Sequence, residues 1–276
     1  MLRRIYYALD EKILQSEAFI SFADYIKQHN TEFIMWQENL EGSLPQALKD
    51  ALVITDSKLS AAFRDTLPVL GYQPEGAEYL PYKYIFEDFG TLDYEYVELV
   101  YKRFHGIPLD ILATDRLLVR EITVDDIDRL YEIYAEPSIT EYMEGLYEDR
   151  EKEVEFVQSY IDNMYGFYNY GMWGICEKET GRLIGRAGLS NREFCGRVFL
   201  ELGYIIAKDY QRQGYATEVC SAIIEYARTT LMAEALICLI HPDNIVSKRL
   251  AIKLGFEYNN DVTVGGEPLE LYVMLF

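Results

Sequence analysis

The chain has 276 residues, enough for two domains of ordinary size or one large one. Half of the residues are apolar or aromatic, which excludes a disordered chain and is ample for a buried core. With 46 acidic against 26 basic side chains the formal net charge is −20. That balance argues against a nucleic-acid partner and against an anionic membrane surface, both of which are held by lysine and arginine. It leaves room for a cationic partner, or for solubility alone.

The cysteines Cys176, Cys195, Cys220 and Cys238 form no C-x-x-C pair, and read as buried thiols of a reduced, cytoplasmic protein. His29, His105 and His241 lie far apart, and no His/Cys spacing resembles a zinc site, so no metal is expected. The amino terminus reaches Asp10-Glu11-Lys12 before any long apolar run, unlike a signal peptide, and no apolar stretch is long enough to span a membrane.

In chain order, a helix is expected from about Gln15 to Gln28. Ala51-Leu52-Val53-Ile54 reads as a buried strand closed by Thr55-Asp56-Ser57, with a helix following to about Leu67, ended by Pro68 and Gly71. Tyr82–Phe86 is a strand and Leu92–Phe104 a helix. This alternation predicts a small α/β domain with parallel strands, and a ligand there would sit at the strand end near Thr55 and Asp56. A seam falls at residues 105–115, so the predicted domains are 1–112 and 113–276, both acidic.

In the second part Leu117–Arg120 is a strand, Thr123 caps a helix, and Glu151–Ile161 is a second helix. Met172–Cys176 and Arg182–Leu189 form a hairpin around Glu179-Thr180-Gly181. Val198–Ile206 is a long strand, Thr217–Thr230 an amphipathic helix, Leu236–Ile240 a buried strand, and Ile245–Leu254 a helix closed by Gly255. Residues 256–276 make a hairpin turning at Gly265-Gly266.

The sharpest local signal is Tyr210-Gln211-Arg212-Gln213-Gly214-Tyr215-Ala216-Thr217, between a strand end and a helix start. Small residues there let the backbone approach a ligand closely, and exposed N–H groups with the helix dipole favour an anion such as a pyrophosphate. The segment is neither a Walker loop nor a dinucleotide fingerprint. Gln211-x-x-Gly214-x-Ala216 resembles the Q/R-x-x-G-x-G/A signature of the GNAT-superfamily acetyltransferases. Glu201-Leu202-Gly203-Tyr204-Ile205-Ile206 before it, and Asn244-x-x-Ser247 with Lys253-Leu254-Gly255-Phe256 after it, are similar to the branch containing ribosomal-protein N-terminal acetyltransferases.

The resemblance covers residues 113–276. It implies a GNAT fold with a mixed, mostly antiparallel sheet and acetyl-CoA as co-substrate; the alternation over residues 1–112 reads separately as a small Rossmann-like α/β domain preceding it. Gln211 and the N–H groups of Arg212, Gln213, Gly214, Tyr215 and Ala216 would hold the pyrophosphate, with a hydroxyl from Thr217. The backbone of Ile205 and Ile206 would pair with the pantetheine arm, and Asn244 would hydrogen-bond it. Attack by an amine requires a base. Glu201 is the expected one, among the apolar neighbours Phe199 and Ile205 on its strand face, directly or through water; the alternative is a strand glutamate facing solvent. The tyrosine that many members carry as acid is here Ala251, which leaves Ser247, itself readable as an ordinary helix-turn hydroxyl.

Glu141, Glu144, Glu148, Asp149, Glu151, Glu153 and Glu155 place seven acids within 15 residues, either a solvated helix face or a wall attracting a cationic acceptor. Tyr165, Phe167, Tyr168, Tyr170 and Trp173 read as core and rim packing or as a cation cage. Ala51–Ser57 resembles a fragment of a haloacid-dehalogenase-like domain, without the Asp-x-Asp nucleophile pattern. The expected function is acetyl transfer to a primary amine, on a basic peptide or protein N-terminus or a small polyamine; the alternative is a non-catalytic acyl-CoA-binding sensor. A homodimer is compatible with both.

Overall fold

A computed structural model describes residues 1–36, 50–59, 64–194 and 196–276. The helix expected before Leu67 falls partly on residues outside these, as does Cys195. The chain divides into two compact units, Met1–Ile107 and Pro108–Phe276.

The first unit holds a sheet with parallel pairing throughout, in the order β2-β1-β3-β4-β5. The strands are β1 Arg4–Ala8, β2 Glu32–Met35, β3 Ala51–Thr55, β4 Val69–Tyr72 and β5 Tyr84–Phe86. Every residue of the central β3 is buried, as a strand covered on both faces requires. Its alternate residues serve two cores: Leu52 and Ile54 pack with Phe19, Phe22 and Phe89, while Ala51 and Val53 pack with Leu59, Leu67 and Val69. Helix α1, Glu17–Lys27, starts where Ser16 Oγ accepts from Phe19 N at 3.2 Å. Helix α2, Tyr94–Phe104, starts where Asp93 accepts from Tyr96 N at 2.7 Å.

Strands β1, β2 and β4 carry too little periodicity to be predicted. Gly71, read from sequence as a helix breaker, is a β4 residue where a Cβ would meet Tyr82 Cδ2 at 2.7 Å.

The second unit begins with β6, Asp110–Ala113, paired antiparallel to β7, Leu117–Arg120. The division therefore falls five residues before the predicted boundary, because this short strand belongs to the second sheet. After β7, Thr123 N donates to Asp126 Oδ2 at 2.8 Å and a tight turn leads into α3, Ile127–Tyr134. Helix α4 spans Arg150–Tyr160 and continues as a wider π turn over Ile161–Tyr165. Then follow β8 Met172–Glu177, β9 Leu183–Phe194, β10 Arg197–Ile206, α5 Tyr215–Thr229, β11 Ala235–Ile240, α6 Ile245–Leu254, β12 Glu257–Val264 and β13 Glu267–Leu275.

The eight strands run in the order β12-β13-β11-β10-β9-β8-β7-β6, antiparallel except for β10 with β11. The last hairpin turns at Gly265 and Gly266, with φ of 63° and 91°, the positive pair that a two-residue turn between twisted strands demands. One face of the sheet packs on α5 through Ala187, Leu189, Leu202, Val219 and Ile223. The other face meets α3 through Ile133, Ile205 and Ala207.

Candidate active site

Strands β10 and β11 are paired at one position, Glu201 with Ile237. Beyond it β10 runs on to Ile206 and β11 to Ile240 without pairing, so the two strands part like a wedge. The ladder with β9 decides which groups of β10 line this wedge. Ala207 N donates to Ile184 O at 2.8 Å. By antiparallel alternation the main-chain groups of Ile205 and Gly203 therefore point to β9, and those of Leu202, Tyr204 and Ile206 point to β11. Two contacts agree: Leu202 O receives Cys238 Sγ at 3.7 Å, and Ile206 O receives Gln211 Nε2 at 3.0 Å. The expectation that Ile205 offers backbone groups is thus corrected. Tyr204 and the N–H of Ile206 face the opening.

The loop after β10 is held from several sides. Arg212 and Gly214 adopt φ of 60° and 87°, left-handed values that suit glycine and strain arginine. Gln213 Nε2 donates to Asp209 O at 2.8 Å. Arg116 donates from Nε to Glu218 Oε2 at 2.7 Å and from a terminal nitrogen to Gln213 O at 3.1 Å, with its guanidinium 4.2 Å from the centre of the Tyr215 ring. Glu218 also accepts from Thr114 Oγ1 at 2.6 Å, and Tyr215 Oη donates to Glu177 at 2.8 Å. This scaffold presents the start of α5 with Gly214 at the cap position and no side chain capping it. The first-turn N–H groups of Tyr215, Ala216 and Thr217 are therefore left for an anion. Thr217 Oγ1 accepts from Lys253 Nζ at 3.3 Å, so the hydroxyl expected at this site comes with a cation attached. Uncapped amides, a nearby ammonium and an open strand edge fit a phosphorylated ligand with an amide-bearing arm.

Glu201 departs from the apolar setting expected for it. Its carboxylate is 12% exposed and its Oε2 accepts from Arg192 Nε at 2.8 Å. Arg192 is the diagonal cross-strand neighbour, and opposite charges on one sheet face close in this way. Asn244 caps α6, its Oδ1 accepting from Ser247 N at 3.1 Å, which commits its carbonyl and leaves its amide group. The Ser247 hydroxyl faces the hydroxyl of Tyr204, whose pKa is pushed up by burial and drawn back by Ser247. Ala251 is buried. Sequence reasoning missed Tyr204, whose position at an alternate residue of β10 was the signal available. It also missed Arg116 and Arg192, whose partners lie on other elements.

The seven acids of residues 141–155 are not equivalent. Glu153 is buried and accepts from Tyr147 N at 3.0 Å, and Asp149 caps α4. Glu141, Glu144, Glu148, Glu151 and Glu155 are exposed. Tyr142 stacks on His241, just after the carboxyl end of β11, with ring centres 5.0 Å apart, and Glu141 and Glu144 flank it in sequence. Of the aromatic group, Tyr165 and Trp173 are core, whereas Phe167 is 76% exposed. In the first unit, Asp56 Oδ2 accepts from Asp10 N at 2.8 Å beside a cavity of about 480 Å³ lined by Ser57, Lys58, Tyr72, Glu78 and Leu80. Lys58 is ion-paired with Glu78 there.

The sheet is thus mixed, with one parallel, splayed strand pair leading to an uncapped helix. Residues 116–257 match the acetyltransferase (GNAT) domain family, and the chain belongs to that family of N-acetyltransferases. It is 31% identical over 149 residues to the N-acetyltransferase YoaA of Bacillus subtilis, covering 53% of this chain and 82% of the relative. The chain is 28% identical over 156 residues to the ribosomal protein uS5-alanine N-acetyltransferase of Escherichia coli, covering 55% of this chain and 80% of the relative. Among solved structures, an acetyltransferase from Agrobacterium tumefaciens superposes with a TM-score of 0.52 at 24% identity, over 61% of this chain and 95% of that one. A ribosomal L7/L12 alpha-N-protein acetyltransferase in complex with coenzyme A gives 0.51 at 14%, over 61% and 98%.

Proposed function

We propose that the protein transfers the acetyl group of acetyl-CoA directly to a primary amine, with the wedge between β10 and β11 as the reaction site. Acetyl-CoA supplies the activated acetyl thioester. The observation that carries the reading is the single paired position between these strands beside the uncapped start of α5. The amides of residues 212–216 and Lys253 would hold the pyrophosphate end. Tyr204 and Ile206 would pair with the amide-bearing arm, aided by the Asn244 amide, and their N–H groups are positioned to polarise a carbonyl oxygen. Glu201 would accept the ammonium proton, directly or through a water. Arg192 holds one of its oxygens and leaves the other free for that role. Ser247 and the Tyr204 hydroxyl behind it would return a proton to the departing sulfur. Exposed Glu141 and Glu144 favour an acceptor that arrives as a cation, as an ammonium does at neutral pH. The relatives named for ribosomal proteins support a protein amine as the acceptor.

The test is thiol release from acetyl-CoA against a panel of amines and peptides. Amine-dependent release supports transfer. Binding of acetyl-CoA with no release by any amine favours a sensor instead.

A further inference from the structure

The first unit holds a crevice that the transfer chemistry does not use. Its sheet runs β2-β1-β3-β4-β5 with every pair parallel. The chain therefore leaves β1 on one side for β2 and returns on the other for β3. In open parallel sheets such a reversal is where ligands bind, outside the carboxyl ends of the strands. The cavity of about 480 Å³ opens there. Ile13 lines it from beyond β1, Asp56 and Lys58 from beyond β3, and Tyr72, Glu78 and Leu80 from the end of β4 onward.

The groups at this point are set against the phosphates that such sheets often hold. A phosphate needs free amides, and several are taken. Asp10 N donates to Asp56 Oδ2 at 2.8 Å, Lys12 N to Asp10 Oδ1 at 2.9 Å, and Ser57 N to Thr55 Oγ1 at 3.1 Å. Lys58 Nζ donates to Glu78, so its charge is already answered. Among the described residues of the lining, Asp56 and Glu78 set two carboxylates against this one ammonium. Asp56 is also held in place. Its oxygens accept from Asp10 N and, at 2.9 Å, from Ser57 Oγ. Both donors are neutral, and each oxygen keeps a lone pair for a further one. The Tyr72 ring is fixed against Phe86 and Phe89, with centres 5.2 and 4.9 Å away. Burial, with Asp88 and Asp56 nearby, pushes its phenol up, so it stays neutral. Ile13 and Leu80 supply apolar walls.

A preoriented carboxylate beside a tyrosine ring and apolar walls suits an ammonium on a hydrocarbon body. We propose that this crevice binds a small primary amine with an apolar body, its ammonium on Asp56 and its body against Ile13, Tyr72 and Leu80. The site lies outside residues 116–257, the stretch that matches the acetyltransferase family, and the inference does not rest on the transfer reading.

Calorimetry on the full chain compares four amines with the alcohols that carry a hydroxyl in place of the ammonium: hexylamine with hexanol, phenethylamine with phenylethanol, tyramine with tyrosol, and tryptamine with tryptophol. At least one amine should bind with a Kd roughly 10-fold or more below that of its alcohol. Asp56→Asn should bring that ratio close to one. Lys58→Met frees the Glu78 carboxylate and should tighten the amine about 2- to 5-fold, whereas a phosphate site would lose its ligand in the same variant. Inorganic phosphate and adenosine monophosphate, titrated alongside, should not displace the amine. The proposal is overturned if no amine is preferred over its alcohol, if the preference survives Asp56→Asn, or if phosphate displaces the amine. A preference lost in Glu201→Gln but kept in Asp56→Asn belongs to the wedge and overturns it too. Should Asp56→Asn fail to fold, Lys58→Met decides: tighter amine binding sustains the site, and unchanged or weaker binding overturns it.

Discussion

Two acidic side chains of the second unit carry different burdens. Glu201 stands at the last point where β10 and β11 are paired, and Glu201→Gln keeps its shape while removing the proton acceptor. The expected result is a fall in kcat of about 100-fold or more with little change in acetyl-CoA binding, read by steady-state kinetics and calorimetry. Unchanged kcat across pH would remove Glu201 from the chemistry. Asp126 is structural. Burial pushes its pKa up, but hydrogen bonds from Arg120 and Thr123 outweigh that, and its carboxyl titrates below the usual range. A depressed folded value contributes stability that is present above the unfolded value, near 3.9, and lost as pH falls through the folded one. Asp126→Asn leaves Arg120 unpaired and should cost about 3 kcal/mol at neutral pH in urea unfolding. That deficit should shrink as the wild type is acidified below pH 4.

At the scale of elements, the loop between β10 and α5 works by backbone geometry. Gly214→Ala forces a left-handed alanine, at a cost of about 1 kcal/mol, and brings a methyl to the amides that would meet phosphate. Its dissociation constant for acetyl-CoA should rise roughly 10-fold, and Arg116→Ala, which unbraces Gln213 and Tyr215, should act in the same direction. Unchanged affinity in both variants would move the cofactor elsewhere. Gly188→Ala tests the close approach of β8 to β9, since its Cβ would lie 1.9 Å from Gly171 O, and it should destabilise by about 1–3 kcal/mol.

This loop and the strands around it were legible because their signals are local: Gly214 and Ala216 at fixed spacing, an apolar run over Leu236–Ile240, a Gly-Gly turn. Pairs made by the fold were not. Glu201 meets Arg192 across a hairpin, and Glu218 holds Arg116 from an element 102 residues away. Ile205 was misassigned because the side chain pattern shows which face a residue is on, and not which neighbour its amide addresses.

Over the whole molecule, the net charge of −20 acts on both substrates of the proposed reaction with opposite sign. On that proposal a cationic amine would be attracted to the exposed acids, while acetyl-CoA would approach against the field and be held by backbone amides with the help of Lys253. Raising the salt concentration should lower kcat/KM for the amine and leave that for acetyl-CoA unchanged or higher. Parallel falls in both would contradict this division. No helix among the described residues is long and apolar enough to cross a membrane.

The most direct test of the central claim is amine-dependent thiol release measured side by side for the wild type, Glu201→Gln and Gly214→Ala. Acetyl transfer at the wedge predicts release by the wild type, binding without comparable turnover in Glu201→Gln, and loss through weaker acetyl-CoA binding in Gly214→Ala. Equal release by all three, or none by the wild type with any amine while acetyl-CoA is bound, would contradict it.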